Sequence, residues 1–304
     1  MMNIGNVKWI HVHSDEISQI NEILKTYDFH EIIEEDLLEG HTQEKIDIYD
    51  DYLFIVLHFP KYNSVNRRYV MNEFDIILGK NFIITVTKYK TNHIERIRKE
   101  YEQEIKESES DEKYKITPYY ILYKIVDVMY DKTIKMLIRS NKDIVEMEEG
   151  LFSSQKLNQN VLEDMMIKKR NYVVLKHAFI PQEEIITDLQ KELPKLYEED
   201  LDVYFEDALF KLDRIQSQIT VLYETIEALA DTYNGLLTIQ TNAIVKLLTI
   251  ITAIMGMLTL ISGIYGMNVQ LPTLRGYWTF ALIISTMVIV SATFIYIFKK
   301  KKLL

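Results

Sequence analysis

The sequence predicts an α+β cytoplasmic domain, a long helical stalk after it, and a two-helix transmembrane hairpin at the C-terminal end. Three observations predict this. Over roughly the first 110 residues, short segments rich in β-branched and aromatic residues alternate with helical patterns. Apolar residues then recur every three or four positions through Asp202–Leu236, a heptad seam. Two apolar runs, Val245–Ile264 and Trp278–Phe298, close the chain. Each has about 20 residues, enough at about 1.5 Å per residue to cross a hydrocarbon core of roughly 30 Å.

Taken in order, Val7–Val12 reads as a strand and Ser14–Tyr27 as a helix, with Ser14 as N-cap and Asp15 and Glu16 in its first turn. Asp51–Phe59, Tyr69–Leu78 and Phe82–Lys88 read as strands, the last two joined by the turn Gly79-Lys80-Asn81. An antiparallel meander packed with helices is the architecture these imply. From Thr117 the pattern is helical, and the charged stretch Leu137–Tyr172 is expected to pack against the long helix. The seam comprises Phe205, Leu209, Leu212, Ile215, Ile219, Leu222, Ile226, Leu229, Tyr233 and Leu236. The last proline before the membrane is Pro194, so Pro194–Gly266 reads as one helix of about 70 residues, roughly 110 Å long. Such a helix needs neighbours along its length, supplied by an oligomer or a bundled stalk. The expected divisions are 1–115 for the α/β domain, 116–242 for the helical stalk and 243–265 for the first span. An external turn at 266–276, a second span at 277–298 and a basic tail at 299–304 complete them.

Charge and composition set the topology. The chain has no cysteine, so disulfides and thiolate metal sites are excluded. Met1–Asp15 is polar and mixed, without the apolar core of a signal peptide, so the N-terminal part is expected to stay in the cytoplasm. Lys299–Lys302 follow the second span, and the positive-inside rule places them there too. Both termini are then cytoplasmic, in a plasma membrane. Lys246 lies near the cytoplasmic end of the first span and can snorkel to headgroups. The net charge is −10, which argues against nucleic acid as a partner and leaves the lipid bilayer as the evident one.

One face of the first span is chemically distinct. From Asp231 at helical spacing it reads Asp231, Gly235, Thr238, Asn242, Val245, Thr249, Thr252, Gly256, Thr259, Gly263, Met267. Recurring small residues fit close helix packing, and periodicity alone favours that reading. The same hydroxyls and backbone carbonyls also fit a pore lining. Two spans cannot enclose a pore, so a pore needs several copies about an axis. No carboxylate lies between Asn242 and Asn268. Neutral oxygens do not readily strip Mg²⁺, so a divalent cation would pass largely hydrated.

Tyr265-Gly266-Met267-Asn268 ends the first span and is followed by a short turn, a second span and Lys299–Lys302. This arrangement, with Asn242 near the cytoplasmic mouth, resembles the CorA family of divalent-cation channels. The similarity is strong over about Asp231–Leu304; earlier it rests on the order of strands and helices. The resemblance implies a homopentameric funnel with the first spans around a central pore. It implies Mg²⁺ as transported and regulatory ion, with Co²⁺ and Ni²⁺ as further cargo, and no prosthetic group. Gly266, Met267 and Asn268 would form the ion entry, Thr259 and Asn242 polar rings, and Val245 and Leu248 the apolar constriction. Asp231 falls where the family has an acid that binds Mg²⁺ between subunits and closes the channel. Asp207 and Asp213, on the same helix, are weaker regulatory candidates, for which a solvated charge is the ordinary reading.

Two departures stand out. The turn Val269–Gly276 has no carboxylate and carries Arg275, whereas family loops often include acids. Met257 stands where many members have proline, so no proline kink is expected. The zinc-transporting ZntB branch shares the loss of the acidic loop, making a ZntB-like Zn²⁺ transporter, with or without proton coupling, the first alternative. The second is a membrane-anchored cation sensor that does not conduct. An enzyme is not expected. His11-Val12-His13-Ser14-Asp15 places two histidines on one side of a strand, yet the other histidines form no ligand pattern, and no phosphate loop or nucleophile elbow is present. Ordinary strand histidines are the default.

Overall fold

The computed structural model describes residues 2–4, 7–40, 43–107, 117–153, 159–197, 202–267 and 277–301. Among them are six strands and eight helices: β1 (Met2–Ile4), β2 (Val7–His13), α1 (Ile17–Thr26), α2 (Glu31–Glu39), β3 (Lys45–Ile48), β4 (Tyr52–Asn63), β5 (Arg68–Gly79), β6 (Phe82–Thr87), α3 (Asn92–Glu107), α4 (Pro118–Ser153), α5 (Gln159–Phe179), α6 (Gln182–Tyr197), α7 (Asp202–Tyr265) and α8 (Tyr277–Lys300). The chain divides into two compact units, Met1–Ala230 and Asp231–Leu304.

The first unit is built on one sheet of order β1-β2-β6-β5-β4-β3. β4, β5 and β6 form the expected antiparallel meander. The sheet is nevertheless mixed, because β2 enters parallel to β6, from Lys8 opposite Phe82 to His13 opposite Thr87. The physical reason is two-sided burial. Val7, Trp9, Ile10 and Val12 are all buried, so β2 is apolar on both faces and fits only a covered central position. On one face Ile10, Val12, Phe54, Val56, Ile77 and Ile84 pack under α1 and α2. On the other, Phe59 meets Phe74 edge-on at 5.0 Å, and Tyr130 of α4 lies 6.0 Å from Phe59.

Several local expectations change. Ser14 is not the cap of α1. Glu16 holds that position without a side-chain cap bond, and its carboxylate instead accepts the His13 N–H at 3.0 Å. The Ser14 N–H is drawn to the Thr87 carbonyl, which continues the sheet rather than starting the helix. β4 runs through Pro60 to Asn63, past the expected end at Phe59. β3 pairs with β4 only from Leu53 to Val56, so the missing N–H of Pro60 interrupts no ladder on that side. At the turn between β5 and β6, a Cβ on Gly79 would meet the Phe82 ring at 2.2 Å, so only glycine fits.

The helical region also differs from the single long helix expected from Pro194. Pro194 lies inside α6, which ends at Tyr197, and α7 begins at Asp202. Buried Ile185, Ile186, Leu189 and Leu193 hold α6 against the domain, and its apolar stripe carries the helix past the proline. The pattern at Leu137–Tyr172 spans two helices, α4 and α5. The seam is nearly as read: Phe205, Leu212, Ile215, Ile219, Leu222, Ile226, Leu229 and Tyr233 are buried. Leu209 and Leu236 are half-buried, and Ala208 takes a fully covered place beside Leu209. Polar ties join these helices. Tyr123 donates to Asp207 at 3.0 Å, Lys211 pairs with Asp127 and Asp131, and Gln216 donates to the Phe179 carbonyl at 2.9 Å.

In the second unit, α8 and the C-terminal part of α7 are apolar and uncovered. Both contain an 18-residue stretch of mean hydropathy 2.3, with 6% of the α7 stretch and none of the α8 stretch buried. Exposed Leu, Ile, Val and Phe at this density fit lipid, not water, as the surrounding medium.

Candidate ion pathway and buried titratable groups

The first span lies wholly within α7, so its distinct face runs along one continuous helix. At 100° per residue, Asn242, Val245, Thr249, Thr252, Gly256, Thr259 and Gly263 fall within a sector of about 100° on α7, with Leu248 at its edge. Thr249, Thr252 and Thr259 each donate their hydroxyl to the carbonyl four residues back, at 2.8 Å. That satisfies the proton in an apolar medium and leaves oxygen lone pairs pointing outward. Back-bonding alone does not mark a pore, because Ser285, Thr286, Ser291 and Thr293 on α8 do the same. The α8 hydroxyls, however, scatter over about 220° of the helix. Glycine is not demanded by packing inside the chain either: a Cβ on Gly256 or Gly263 would meet nothing within 4 Å. The small, oxygen-bearing face of α7 is therefore open for use between copies or toward an ion path.

The helix ends at the motif. The Gly266 N–H bonds the Ser262 carbonyl at 2.9 Å, and the Met267 N–H reaches the Ile264 carbonyl at 3.4 Å. Asn268 and the turn Val269–Gly276 lie outside the described residues. Asp231 is exposed on α7, as is Asp213, whereas Asp207 is engaged by Tyr123 and by Lys211 at 3.7 Å.

His11 and His13 do share a side of β2, with ring centroids 5.0 Å apart. Each is tied to β6 through Nδ1, His11 to the Thr85 hydroxyl at 3.0 Å and His13 to the Thr87 hydroxyl at 3.1 Å. Burial, with the neighbouring His13 charge, pushes the His11 imidazole down to about 4, so it is neutral at pH 7. Among the described residues no three His, Asp or Glu side chains are arranged to hold a metal.

Sequence reasoning missed a buried cluster on β4 and β5. His58 stands directly opposite Glu73. Its Nε2 lies 3.6 Å from Glu73, and its Nδ1 lies 3.4 Å from Glu44, ahead of β3. Lys88, after β6, approaches Glu73 at 3.8 Å. Burial works against a charge on His58, but the two carboxylates prevail and push it up to about 9. Asp75, on the same face of β5 as Glu73, is driven well above the usual carboxylate range by burial and by the Glu73 charge. His58 and Lys88 offset the carboxyl groups of Glu44 and Glu73 around it. The sequence signal was two carboxylates, Glu73 and Asp75, at i, i+2 in a strand that is otherwise apolar from Phe74 to Leu78.

This cluster makes stability pH-dependent. The folded His58 holds its proton up to about 9, against an ordinary value of about 6.5. Its contribution is fully present below about pH 6.5 and is lost as pH rises through 9. Asp75, raised in the folded state, also releases stability as pH climbs above the ordinary carboxylate range. Thermal unfolding of the detergent-solubilised chain should show a midpoint that falls between pH 6.5 and 9, by a stability of order 3 kcal/mol. His58→Gln should flatten that slope; an identical slope in the variant would remove His58 as its source.

A family model described as "CorA-like Mg2+ transporter protein" matches residues 5–300. The chain belongs to the CorA family. It is 26% identical over 301 residues to the cobalt/magnesium transport protein CorA of Thermotoga maritima, covering 98% of this chain and 82% of that protein. To the putative metal ion transporter YfjQ of Bacillus subtilis it is 24% identical, covering 81% and 73%. The fold agrees with the complete CorA magnesium transporter from Methanocaldococcus jannaschii at a TM-score of 0.80, 21% identity and coverage of 96% and 89%. The ZntB cytoplasmic domain from Vibrio parahaemolyticus overlays with a TM-score of 0.60, 15% identity and coverage of 75% and 86%. With its two apolar helices, this chain is a membrane protein of a divalent-cation transport family.

Proposed function

We propose that the chain conducts Mg²⁺ passively across the plasma membrane through the central pore of a homopentamer, and that cytoplasmic Mg²⁺ closes it. The observation that carries the reading is the α7 face from Asn242 to Gly263, exposed among the described residues and followed in sequence by Gly266-Met267-Asn268. In this reading residues 1–115 and 116–242 form the cytoplasmic funnel and stalk. Residues 243–265 line the pore, 266–276 form the external mouth, 277–298 face lipid, and 299–304 return to the cytoplasm. Val245 and Leu248 form the apolar constriction, and Asn242 and Thr259 offer polar rings on either side. Co²⁺ and Ni²⁺ are further cargo for the same hydrated path. No ATP-binding motif is needed: an inside-negative potential supplies about 2.3 kcal/mol per charge per 100 mV, and about twice that for a divalent cation.

The acid-free turn with Arg275, together with the overlay on the ZntB domain, favours Zn²⁺ as the second reading. Proteoliposomes loaded with a Mg²⁺ indicator separate the two. Influx driven by an inside-negative potential is expected with Mg²⁺ outside. Flux of Zn²⁺ with a proton gradient and none of Mg²⁺ would transfer the assignment to the second reading. Absence of both would leave a cation sensor.

A further inference from the structure

We propose that a cleft between the β4–β5 hairpin and helices α4 and α5 binds a small polyphosphate-bearing ligand such as a nucleoside triphosphate. The cleft has a volume of about 600 Å³, within the range of small-molecule sites. Six basic side chains converge on it: Lys61 from β4, Arg67 from the hairpin turn, Lys132, Lys135 and Arg139 from α4, and Lys168 from α5. Only one carboxylate, Asp143, lines it.

Two of the six bases are already balanced. Arg67 pairs with Asp164, and Lys168 with Asp143 at 3.0 Å. Lys61, Lys132, Lys135 and Arg139 form no ion pair among the described residues. On α4 the spacing 132, 135, 139 puts three of these charges on one helix face. Desolvation and the Lys61 charge lower the Lys132 pKa, which marks the pair as mutually repelling. A second cavity of about 220 Å³ shares Lys61 and Lys132 as its wall and adds Lys90 and His93. In a protein of net charge −10, this is a local field of the opposite sign. Unpaired like charges gathered in a concavity are relieved by a bound polyanion.

The frame of the cleft is rigid. The hairpin turn is fixed by Arg67 in the left-handed region, at φ 54°, and by the Asn63 carboxamide, which accepts the Val65 N–H at 3.0 Å. Asn171 of α5 locks it from the other side, accepting the Tyr69 N–H at 3.2 Å and donating to the Arg67 carbonyl at 3.0 Å. Ser140 and Tyr172 bond at 2.7 Å across the α4–α5 floor. Tyr62, Met136 and Ile167 supply apolar surface that a nucleobase could cover. The limited volume of the cleft and the acidic remainder of the chain select a small ligand over a long nucleic acid.

Polyphosphates coordinate Mg²⁺ through their oxygens, so the test uses full-length protein in detergent and metal-free buffer. Calorimetric titration with ATP and with inorganic triphosphate should give saturable binding near one per chain. Lys132→Glu/Arg139→Glu should weaken it at least tenfold. Lys191→Glu on α6, paired with Asp188 outside the cleft, should leave it unchanged. Tighter binding of ATP than of triphosphate would place the base on the apolar wall; equal binding would assign the site to the phosphates alone. Three results would overturn the proposal: no saturable binding, binding retained in the double variant, or an equal loss with Lys191→Glu. A double variant that alters the size of the assembly, with triphosphate affinity intact, would make the cleft a subunit contact instead.

Discussion

Asn268→Ala is expected to abolish Mg²⁺ influx in proteoliposomes while the assembly keeps its size in gel filtration. The argument starts from where the first membrane helix stops. The Gly266 N–H still bonds the Ser262 carbonyl, so the helical ladder closes at the motif. A Cβ at Gly266 would come within 3.1 Å of that carbonyl, so glycine allows the tight finish. The next polar side chain is the Asn268 carboxamide, and the turn after it, through Gly276, carries no acid. If a hydrated cation is met at this mouth, a neutral carboxamide must meet it, by hydrogen-bonding its water shell. Hydrogen bonds to charged partners contribute about 1.5–3 kcal/mol each. Loss of one such bond already corresponds to at least about tenfold in occupancy, and a ring of copies loses several. A polar carboxamide contributes little to apolar packing, so assembly should be indifferent to the change. Undiminished influx in the variant would remove the motif from the ion path.

Much of this architecture could be read in one dimension because its causes are periodic. The buried seam from Phe205 to Tyr233 and the two apolar runs each repeat a local rule over many residues, and packing preserved them. What escaped depends on register and on distant partners. Gln182 is fully buried because it donates to the His58 carbonyl, 124 positions away, and accepts from the Tyr130 hydroxyl. Nothing around Gln182 in sequence announces that. The His58–Glu73 pair exists only because β4 and β5 set those two residues opposite each other. Likewise, the basic cleft draws on residues from Lys61 to Lys168 that no window joins. Pro194 misled for a different reason. Proline disfavours a helix interior locally, yet α6 buries enough apolar surface to run past it. On α7, periodicity defined the face of small residues, but the missing neighbours at Gly256 and Gly263 required coordinates.

Asp231→Ala is expected to weaken inhibition by internal Mg²⁺, raising the concentration that halves influx at least about fivefold, the lower end of ordinary coupling between sites. Among the three acids considered on α7, it has the surroundings such a role needs. Asp207 is spent inside its own chain, on the Tyr123 hydroxyl and Lys211. Asp213 is exposed and, five helical turns before Asp231, shares its face, but it lies about 27 Å further along α7 from the apolar span. Asp231 is exposed and lies on the face that continues into Asn242 and Thr249. In a symmetric ring, each copy would set this carboxylate against a neighbour. Empty, such a ring of carboxylates repels and favours splayed helices; a bridging divalent cation removes the repulsion and favours the closed arrangement. Alanine removes both the repulsion and the ligand. The variant should therefore keep its maximal influx and lose sensitivity, a combination that misfolding does not produce. Unchanged sensitivity with unchanged influx would exclude Asp231 from the sensor and move attention to acids of the first 230 residues.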